Sequence, residues 1–418
     1  MDKIVVKGLK QLNGEIHTGG AKNSALPLLF STLLADGKHV FKNVPKLQDI
    51  NSTQLLLEHL GAKVSWEGDN FIVECKGELI KKAPYELVRK MRASILCLGP
   101  ILARYGEAVV SLPGGCAIGT RPIDKHLDAM KTLGAEIEIQ EGYVIARSKK
   151  LKGATIVFDG VTVGGTENAL MAAVLADGVT TIENAAKEPE VDDLANYLVK
   201  MGAKIEGIGS SILKITGVEK LKAAEHTVIP DRIEAGTLLI AGAITGGEVT
   251  VTKCVPTHLD ALIAKMKESG FKIDTGKDFI TVRKCSSWKG VDVQTTPYPG
   301  FATDLQAQFM ALMTVAEGTS IISENIFENR FMHVQELVRM NADITSRTQV
   351  AIVRGKKGKL TGAPVMATDL RASASLILAG LASQGETQVL RVYHLDRGYE
   401  KLEEKLQKLG ADAIRAKE

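Results

Sequence analysis

Leu60-Gly61-Ala62-Lys63-Val64 decides the fold, because the chain keeps returning to it. The ending recurs as Leu133-Gly134-Ala135-Glu136-Ile137 and Met201-Gly202-Ala203-Lys204-Ile205. Looser copies are Ser269-Gly270-Phe271-Lys272-Ile273, Met340-Asn341-Ala342-Asp343-Ile344 and Leu409-Gly410-Ala411-Asp412-Ala413. Between the third residues of these copies the steps are 73, 68, 68, 71 and 69 residues. A glycine just past the last apolar residue stops a helix, since it accepts a left-handed backbone that side chains resist, and Asn341 is the usual substitute. The alternating segment after each stop predicts a strand.

A second element repeats at the same period. Apolar helices rich in small residues end in glycine and lead into a strand. They run from Ala21 to Gly37, Met91 to Gly106, Gly165 to Gly178, Ile233 to Gly247, Asp304 to Gly318 and Leu370 to Gly385. Each unit of about seventy residues therefore predicts helix, strand, second helix, then one or two strands, longer than the roughly 20–50 residues of a solenoid repeat. Six units divide as three and three, giving two similar domains. The first helix of each is apolar nearly all round and belongs inside; the second, as in Leu402-Glu403-Glu404-Lys405-Leu406, is amphipathic and belongs outside. The boundary is expected near Ile229-Pro230-Asp231, and the opening strand, residues 3 to about 20, precedes the first unit and is free to pair elsewhere.

Composition narrows the class. The 418 residues suit about two domains. A hydrophobic share of 45% and a charged share of 24% are those of a globular protein, and a net charge of +3 is too small to argue for nucleic acid or an anionic membrane. No apolar run approaches the roughly 18 residues of a membrane span, and the N-terminus lacks a signal-peptide core. Five scattered cysteines without a Cys-x-x-Cys pair argue against a disulfide framework and a zinc site. The histidines show no metal-ligand spacing. A cytoplasmic protein is the default expectation.

One loop stands out chemically: Ser111-Leu112-Pro113-Gly114-Gly115-Cys116-Ala117-Ile118-Gly119-Thr120-Arg121-Pro122. It follows the strand pattern of Glu107 to Leu112 and precedes a helix opened by Ile123-Asp124-Lys125. A thiol at the tip of a glycine-rich loop with an arginine behind it is biased toward thiolate and suits a nucleophile or acid. As an isolated residue, Cys116 reads equally as a small buried hydrophobe.

The starts of the inner helices carry residues a core would not choose. They are Lys22-Asn23-Ser24, Arg92-Ala93-Ser94, Thr162-Val163-Gly164-Gly165, Asp231-Arg232, Thr303-Asp304 and Asp369-Leu370-Arg371. Helix N-termini attract anions, so Lys22, Arg92 and Arg371 there disfavour the helix unless an anion binds. They read either as parts of an anion site or as solvated cations balanced by Asp231, Asp304 and Asp369. Asp304 reads either as a helix cap or as a base facing a substrate hydroxyl. Arg330 and Arg397, each at a strand end, suit a cleft or a surface ion pair.

Taken together these segments resemble the enolpyruvyl transferases, over the full length from Gly20-Ala21-Lys22-Asn23 to Asp396-Arg397-Gly398-Tyr399-Glu400. The motifs are Met91-Arg92-Ala93-Ser94, Pro113-Gly114-Gly115-Cys116 with Gly119-Thr120-Arg121-Pro122, Thr303-Asp304-Leu305-Gln306-Ala307-Gln308, Glu328-Asn329-Arg330-Phe331 and Ala367-Thr368-Asp369-Leu370-Arg371. The resemblance implies a two-domain inside-out α/β barrel of six βαβαββ-type units, three per domain. Residues 21–229 would form the domain carrying the Cys116 loop, residues 1–20 with 230–418 the second, and the active site would lie in the cleft between them.

The implied reaction moves enolpyruvate from phosphoenolpyruvate to the 3-hydroxyl of UDP-N-acetylglucosamine, releasing phosphate through a tetrahedral ketal. It is the first committed step of peptidoglycan synthesis. By the same resemblance, Cys116 protonates phosphoenolpyruvate, is able to form a covalent adduct with it and is alkylated by fosfomycin, while Asp304 is the base. Lys22, Asn23, Arg121, Arg371 and Arg397 hold phosphoenolpyruvate, with Lys22 and Arg397 also in the catalytic set. Asn23, Arg92, Arg121, Pro122, Ile123, Asp124, Lys125, Thr162, Val163, Gly164, Asp304, Ile326 and Arg330 contact the sugar nucleotide. No metal, resident cofactor, nucleic acid or membrane is implied. Gly160 departs from relatives that carry a lysine reaching the diphosphate, and Leu96 from relatives with tryptophan. The sister activity on shikimate 3-phosphate is the nearest rival, disfavoured because that branch has no cysteine loop. A catalytically dead sugar-nucleotide binder is the rival of a different class, disfavoured by the intact set Lys22, Cys116, Arg121, Asp304 and Arg397.

Overall fold

All six helix endings close in one way in the computed structural model, which describes residues 2–113 and 122–417. Gly61, Gly134, Gly202, Gly270, Asn341 and Gly410 take φ of 105°, 91°, 109°, 111°, 70° and 100°. The next residue donates its N–H five residues back, as Ala62 does to Leu57 O and Ala342 to Leu337 O, both at 3.0 Å. The Gly61 N–H meanwhile reaches Glu58 O at 3.0 Å. These bonds satisfy carbonyls otherwise orphaned at a helix end and turn the chain directly into a strand.

Among the described residues the strands form six four-stranded sheets of one pattern. In one, Thr155–Val157 runs parallel to Val179–Glu183, which pairs antiparallel with Ile212–Thr216, which pairs antiparallel with Lys204–Glu206. Alternation sets the faces: in Glu248–Thr252 only Val249 and Val251 are buried. Three sheets borrow a strand from far along the chain. Asp2–Lys7 lies antiparallel between Glu386–Leu390 and Asp412–Lys417, with Ile4 opposite Val389 and Val5 opposite Ile414. Asn13–His17 lies parallel to Glu248–Thr252, and Glu225–Thr227 parallel to Gly37–Lys42.

The chain divides into two compact units. Residues 20–113 with 122–229 pack around Phe30, Phe41, Phe71 and Tyr197. Residues 2–19 with 230–417 pack around Ile4, Leu12, Phe309 and Tyr399. Inner helices are enclosed as their composition predicts: Arg232–Ile244 is buried at every residue after Arg232. The outer helix Gln48–His59 buries Leu56 and Leu57 and exposes Leu55. No helix is long and apolar enough to cross a membrane among the described residues.

Two features depart from the residue pattern. A short strand of two to five residues precedes each inner helix, as at Lys82–Ala83 and Val293–Gln294; such pieces are too short to show periodicity. The stretch from Met91 to Gly106 is also not one α-helix but a 3₁₀ segment, Arg92–Cys97, followed by α-helix Leu98–Tyr105. The Asn168 side chain explains the break. Its Oδ1 accepts from Gly99 N at 2.8 Å and its Nδ2 donates to Ile95 O at 3.1 Å, replacing the main-chain bond between those two residues. A Cβ on Gly99 would collide with that amide.

Candidate active site

Candidate residues occur in both units, and each unit builds its own set. In the unit of residues 20–229, helix Lys22–Ser31 starts behind Ala21, which has no oxygen to cap it. Lys22 lies in the first turn, 3.3 Å from Asp49 Oδ2, with both side chains largely enclosed. Two residues on, the Ser24 hydroxyl donates to Asp193, whose other oxygen meets His226 Nε2 at 2.7 Å; His226 Nδ1 is 3.0 Å from Lys200 Nζ. The buried Ser24–Asp193–His226 part of this chain anchors the turn bearing Lys22 and Asn23, and Asn23 is itself half-buried. Arg92 opens the 3₁₀ segment behind Met91, again without a side-chain cap.

Thr162 caps helix Val163–Ala173 by accepting from Gly165 N at 3.2 Å. Gly164 leaves room for His126: a Cβ there would stand 3.1 Å from the imidazole. Pro122 and Asp124 are exposed and Ile123 is buried at the entry to helix Asp124–Thr132. Lys125 binds Asp159 at 2.6 Å and donates to Gly160 O at 3.0 Å, so a cation does stand beside Gly160. Cys116 and Arg121 lie outside the described residues.

Sequence reasoning passed over a carboxyl group here. Glu167, inside the apolar helix after Thr162, is buried and its Oε1 lacks a hydrogen-bond partner among the described residues. Burial, then the charges of Glu190 and Glu188, push this carboxyl well above the ordinary range and favour its protonated form. The polar run Thr166-Glu167-Asn168 in an otherwise apolar helix was the available signal.

In the unit of residues 2–19 and 230–417, Asp304 occupies the first turn of helix Thr303–Met313, whose N-cap is Ala302. The capping reading of Asp304 fails. Its carboxylate instead accepts from Arg330 Nη2 at 2.9 Å and Arg371 Nη2 at 2.6 Å. Both guanidinium side chains are 4% exposed against 25% for Asp304, so Arg330 forms an enclosed pair rather than a surface one. Arg371 lies over the Tyr399 ring at 5.4 Å, while its Nε and Nη1 have no hydrogen-bond partner among the described residues. Burial acts to lower the pKa of Arg371, but Asp304, Tyr399 and Asp231 together outweigh it and raise it. Behind the pair, Gln308 Nε2 donates to Asp304 O at 2.9 Å, Thr237 Oγ1 at 3.1 Å and Tyr399 OH at 3.1 Å.

Asp231 and Asp369 are caps: the first accepts from Ile233 N and Glu234 N, the second from Arg371 N and Ala372 N. Arg397 ends the 3₁₀ segment Val392–Arg397 and is half-buried, and its neighbour Asp396 binds Arg415 at 2.6 Å. Ile326 donates its N–H to Glu324 Oε1 at 2.9 Å. Asp49, Asp193 and Glu324 have no sequence signature as partners of Lys22, Ser24 and Thr303, because each pair is brought together by tertiary packing.

Comparison with known proteins covers nearly the whole chain. The family described as EPSP synthase (3-phosphoshikimate 1-carboxyvinyltransferase) matches residues 6–406. A UDP-N-acetylglucosamine 1-carboxyvinyltransferase of Bdellovibrio bacteriovorus is 67% identical over 408 residues, covering 98% of this chain and 99% of that one. A protein of the same name from Myxococcus xanthus is 57% identical over 421 residues, with all of both chains covered. Among solved structures, the enolpyruvyl transferase NikO from Streptomyces tendae matches with TM-score 0.90 at 26% identity over 99% of each chain. An EPSP synthase from Acinetobacter baumannii matches with TM-score 0.77 at 16% identity over all of both chains, a likeness of fold alone.

Proposed function

The chain belongs to the enolpyruvyl transferase family, and we propose that it transfers the enolpyruvyl group of phosphoenolpyruvate to the 3-hydroxyl of UDP-N-acetylglucosamine, releasing phosphate. This is the transferase step that commits the sugar nucleotide to peptidoglycan synthesis. The observation carrying the reading is the Asp304 carboxylate held between Arg330 and Arg371 in a chain so close to enzymes of that name.

Two guanidinium groups bind the Asp304 carboxylate, and nearby positive charge favours the ionised form that a general base needs. Asp304 takes the proton of the sugar hydroxyl as its oxygen bonds to C2 of phosphoenolpyruvate, and Cys116 delivers a proton to C3. The tetrahedral ketal then loses a proton from C3 and expels phosphate, restoring the double bond. Arg371 has two donors, Nε and Nη1, without a partner among the described residues, which supports a role in holding the phosphoenolpyruvate anion together with Lys22, Asn23, Arg121 and Arg397. Preorganised cations stabilise developing charge without rearrangement. Arg92, Pro122 to Lys125, Thr162 to Gly164, Ile326 and Arg330 contact the sugar nucleotide in this reading, with Lys125 serving the diphosphate side where Gly160 offers no cation.

The same proposal includes the finer architecture: six βαβαββ-type units, three per domain, as an inside-out α/β barrel, with domains at 21–229 and at 1–20 plus 230–418. It also includes a cytoplasmic location, acid–base chemistry without a resident cofactor, a transient phosphoenolpyruvate adduct on Cys116 and alkylation of that thiol by fosfomycin. Phosphate release is the test, measured with UDP-N-acetylglucosamine and separately with shikimate 3-phosphate, for wild type and Cys116→Ala. Release with the sugar nucleotide alone, strongly slowed in the variant, is expected. Release with shikimate 3-phosphate would overturn the acceptor, and an unimpaired variant would require another acid.

A further inference from the structure

Glu324 is a buried carboxylate, 1% exposed, that makes no ion pair among the described residues. Its two oxygens are met by four donors. Oε1 accepts from Thr295 Oγ1 at 2.9 Å, Ile326 N at 2.9 Å and Phe327 N at 3.2 Å, and Oε2 accepts from Thr303 Oγ1 at 3.0 Å. Thr295 Oγ1 in turn accepts from Asn325 N at 2.9 Å. Hydrogen bonds to an ionised acceptor are roughly twice as strong as neutral ones, and losing the carboxylate would strand buried donors.

The donors come from three separate segments, two of which carry candidate residues. Thr303 directly precedes Asp304, while Ile326 and Phe327 lead to Arg330, the partner of Asp304. A control exists in the same unit. Ala367-Thr368-Asp369-Leu370 repeats Ala302-Thr303-Asp304-Leu305, but Thr368 Oγ1 has no hydrogen-bond partner among the described residues and its helix begins only at Leu370, with Asp369 as the cap. Where Glu324 holds the threonine, the helix begins at Thr303 and the aspartate is left for arginines.

We propose that Glu324 is a positioning residue: by joining Thr303 to the backbone of Ile326 and Phe327 it holds Asp304 out of the capping register and presents it, with Ile326, in fixed relation to the sugar hydroxyl. This rests on the reaction proposed above. Glu324→Gln keeps an oxygen for the two backbone N–H groups, and its amide faces the Thr303 hydroxyl, which can turn to accept. Glu324→Ala removes the whole hub, and Thr303→Val cuts only the link to the helix should the alanine variant fold poorly.

The test is steady-state phosphate release, normalised to folded enzyme. Displacements near 1 Å cost about a hundredfold in rate, so Glu324→Ala is expected to lower kcat/KM for UDP-N-acetylglucosamine by about a hundredfold and Thr303→Val by about tenfold. Glu324→Gln should stay within about threefold of wild type, since it retains the backbone acceptor. KM for phosphoenolpyruvate should rise less than KM for the sugar nucleotide in each of them, since Asp304 also pairs with Arg371. Wild-type kcat and KM in both Glu324→Ala and Thr303→Val would overturn the proposal, as would Glu324→Gln being as damaged as Glu324→Ala. So would an equal rise in KM for phosphoenolpyruvate. A wild-type enzyme silent on UDP-N-acetylglucosamine would instead overturn the reaction on which the proposal rests, and that failure shows before any variant is made.

Discussion

Ala302-Thr303-Asp304-Leu305 and Ala367-Thr368-Asp369-Leu370 are the same four residues at the start of two inner helices of one unit, yet their aspartates do opposite things. Asp369 is extended, at φ −155° and ψ 176°, and its Oδ1 accepts from Arg371 N at 2.8 Å and Ala372 N at 3.1 Å. It is a cap, and its negative charge also suits the helix dipole. Asp304 already lies inside its helix and turns both oxygens to guanidinium groups. A shift of helix register makes one aspartate a cap and leaves the other to two arginines, as the proposed base requires.

The largest expected effect tests that difference directly. Asp304→Asn removes the proposed base and should lower kcat by about 10²–10⁴-fold, the usual contribution of a general base. Asp369→Asn should cost almost nothing, because asparagine caps about as well as aspartate. Phosphate-release kinetics of the two variants decide the matter. Equal losses would erase the distinction, and a larger loss at Asp369 would reverse it.

That distinction could not be read from the sequence, since the tetrapeptides are identical and their different hydrogen-bond partners lie elsewhere in the chain. Local chemistry was legible where one residue type meets one backbone need: Gly61, Gly134, Gly202, Gly270, Asn341 and Gly410 all take the left-handed conformation their spacing predicts. The enclosure of helix Arg232–Ile244 was equally plain from its apolar faces. Long-range pairing was not. Nothing local to Asp2–Lys7 says that it will lie beside Asp412–Lys417, nor does anything in Ile95 or Gly99 announce the Asn168 amide between them. At the candidate site the charged residues at helix starts were visible as anomalies. Their partners were not, because Asp49, Glu324 and Asp193 reach them by tertiary packing alone.

A middle-sized effect concerns pH, and sharpens the comparison because His333 feels both regions. It is buried, and burial lowers its pKa from 6.5 to about 4, with Asp369 acting to raise it and Arg330 to lower it further. The folded protein therefore resists a proton that the unfolded chain accepts below pH 6.5. Stability from this group is present above that value and is lost as pH falls toward about 4. His333→Gln should flatten the fall in thermal midpoint across that window while sparing the midpoint's pH dependence above pH 7. An unchanged slope between pH 6.5 and 4 would show that the acid sensitivity lies elsewhere, with buried His39, also lowered to about 4, the next group to replace.

The smallest effect comes from giving the Asp304 helix the cap it lacks. Ala302 is extended, at φ −65° and ψ 127°, and half-buried, so a serine there fits the backbone and has space for one oxygen. Ala302→Ser should gain up to about 1 kcal/mol, the usual worth of a cap over alanine. Its effect on turnover then reads what the open helix start is for. If the added hydroxyl takes first-turn N–H groups that substrate otherwise uses, stability rises while kcat/KM for the sugar nucleotide falls. A gain in stability with unchanged kinetics would mean that those N–H groups only face solvent, and that the difference between the two tetrapeptides lies wholly in the carboxylate. A loss of stability would mean that the register held by Thr303 and Glu324 leaves no room for a cap, which ties the missing cap to the freedom of Asp304.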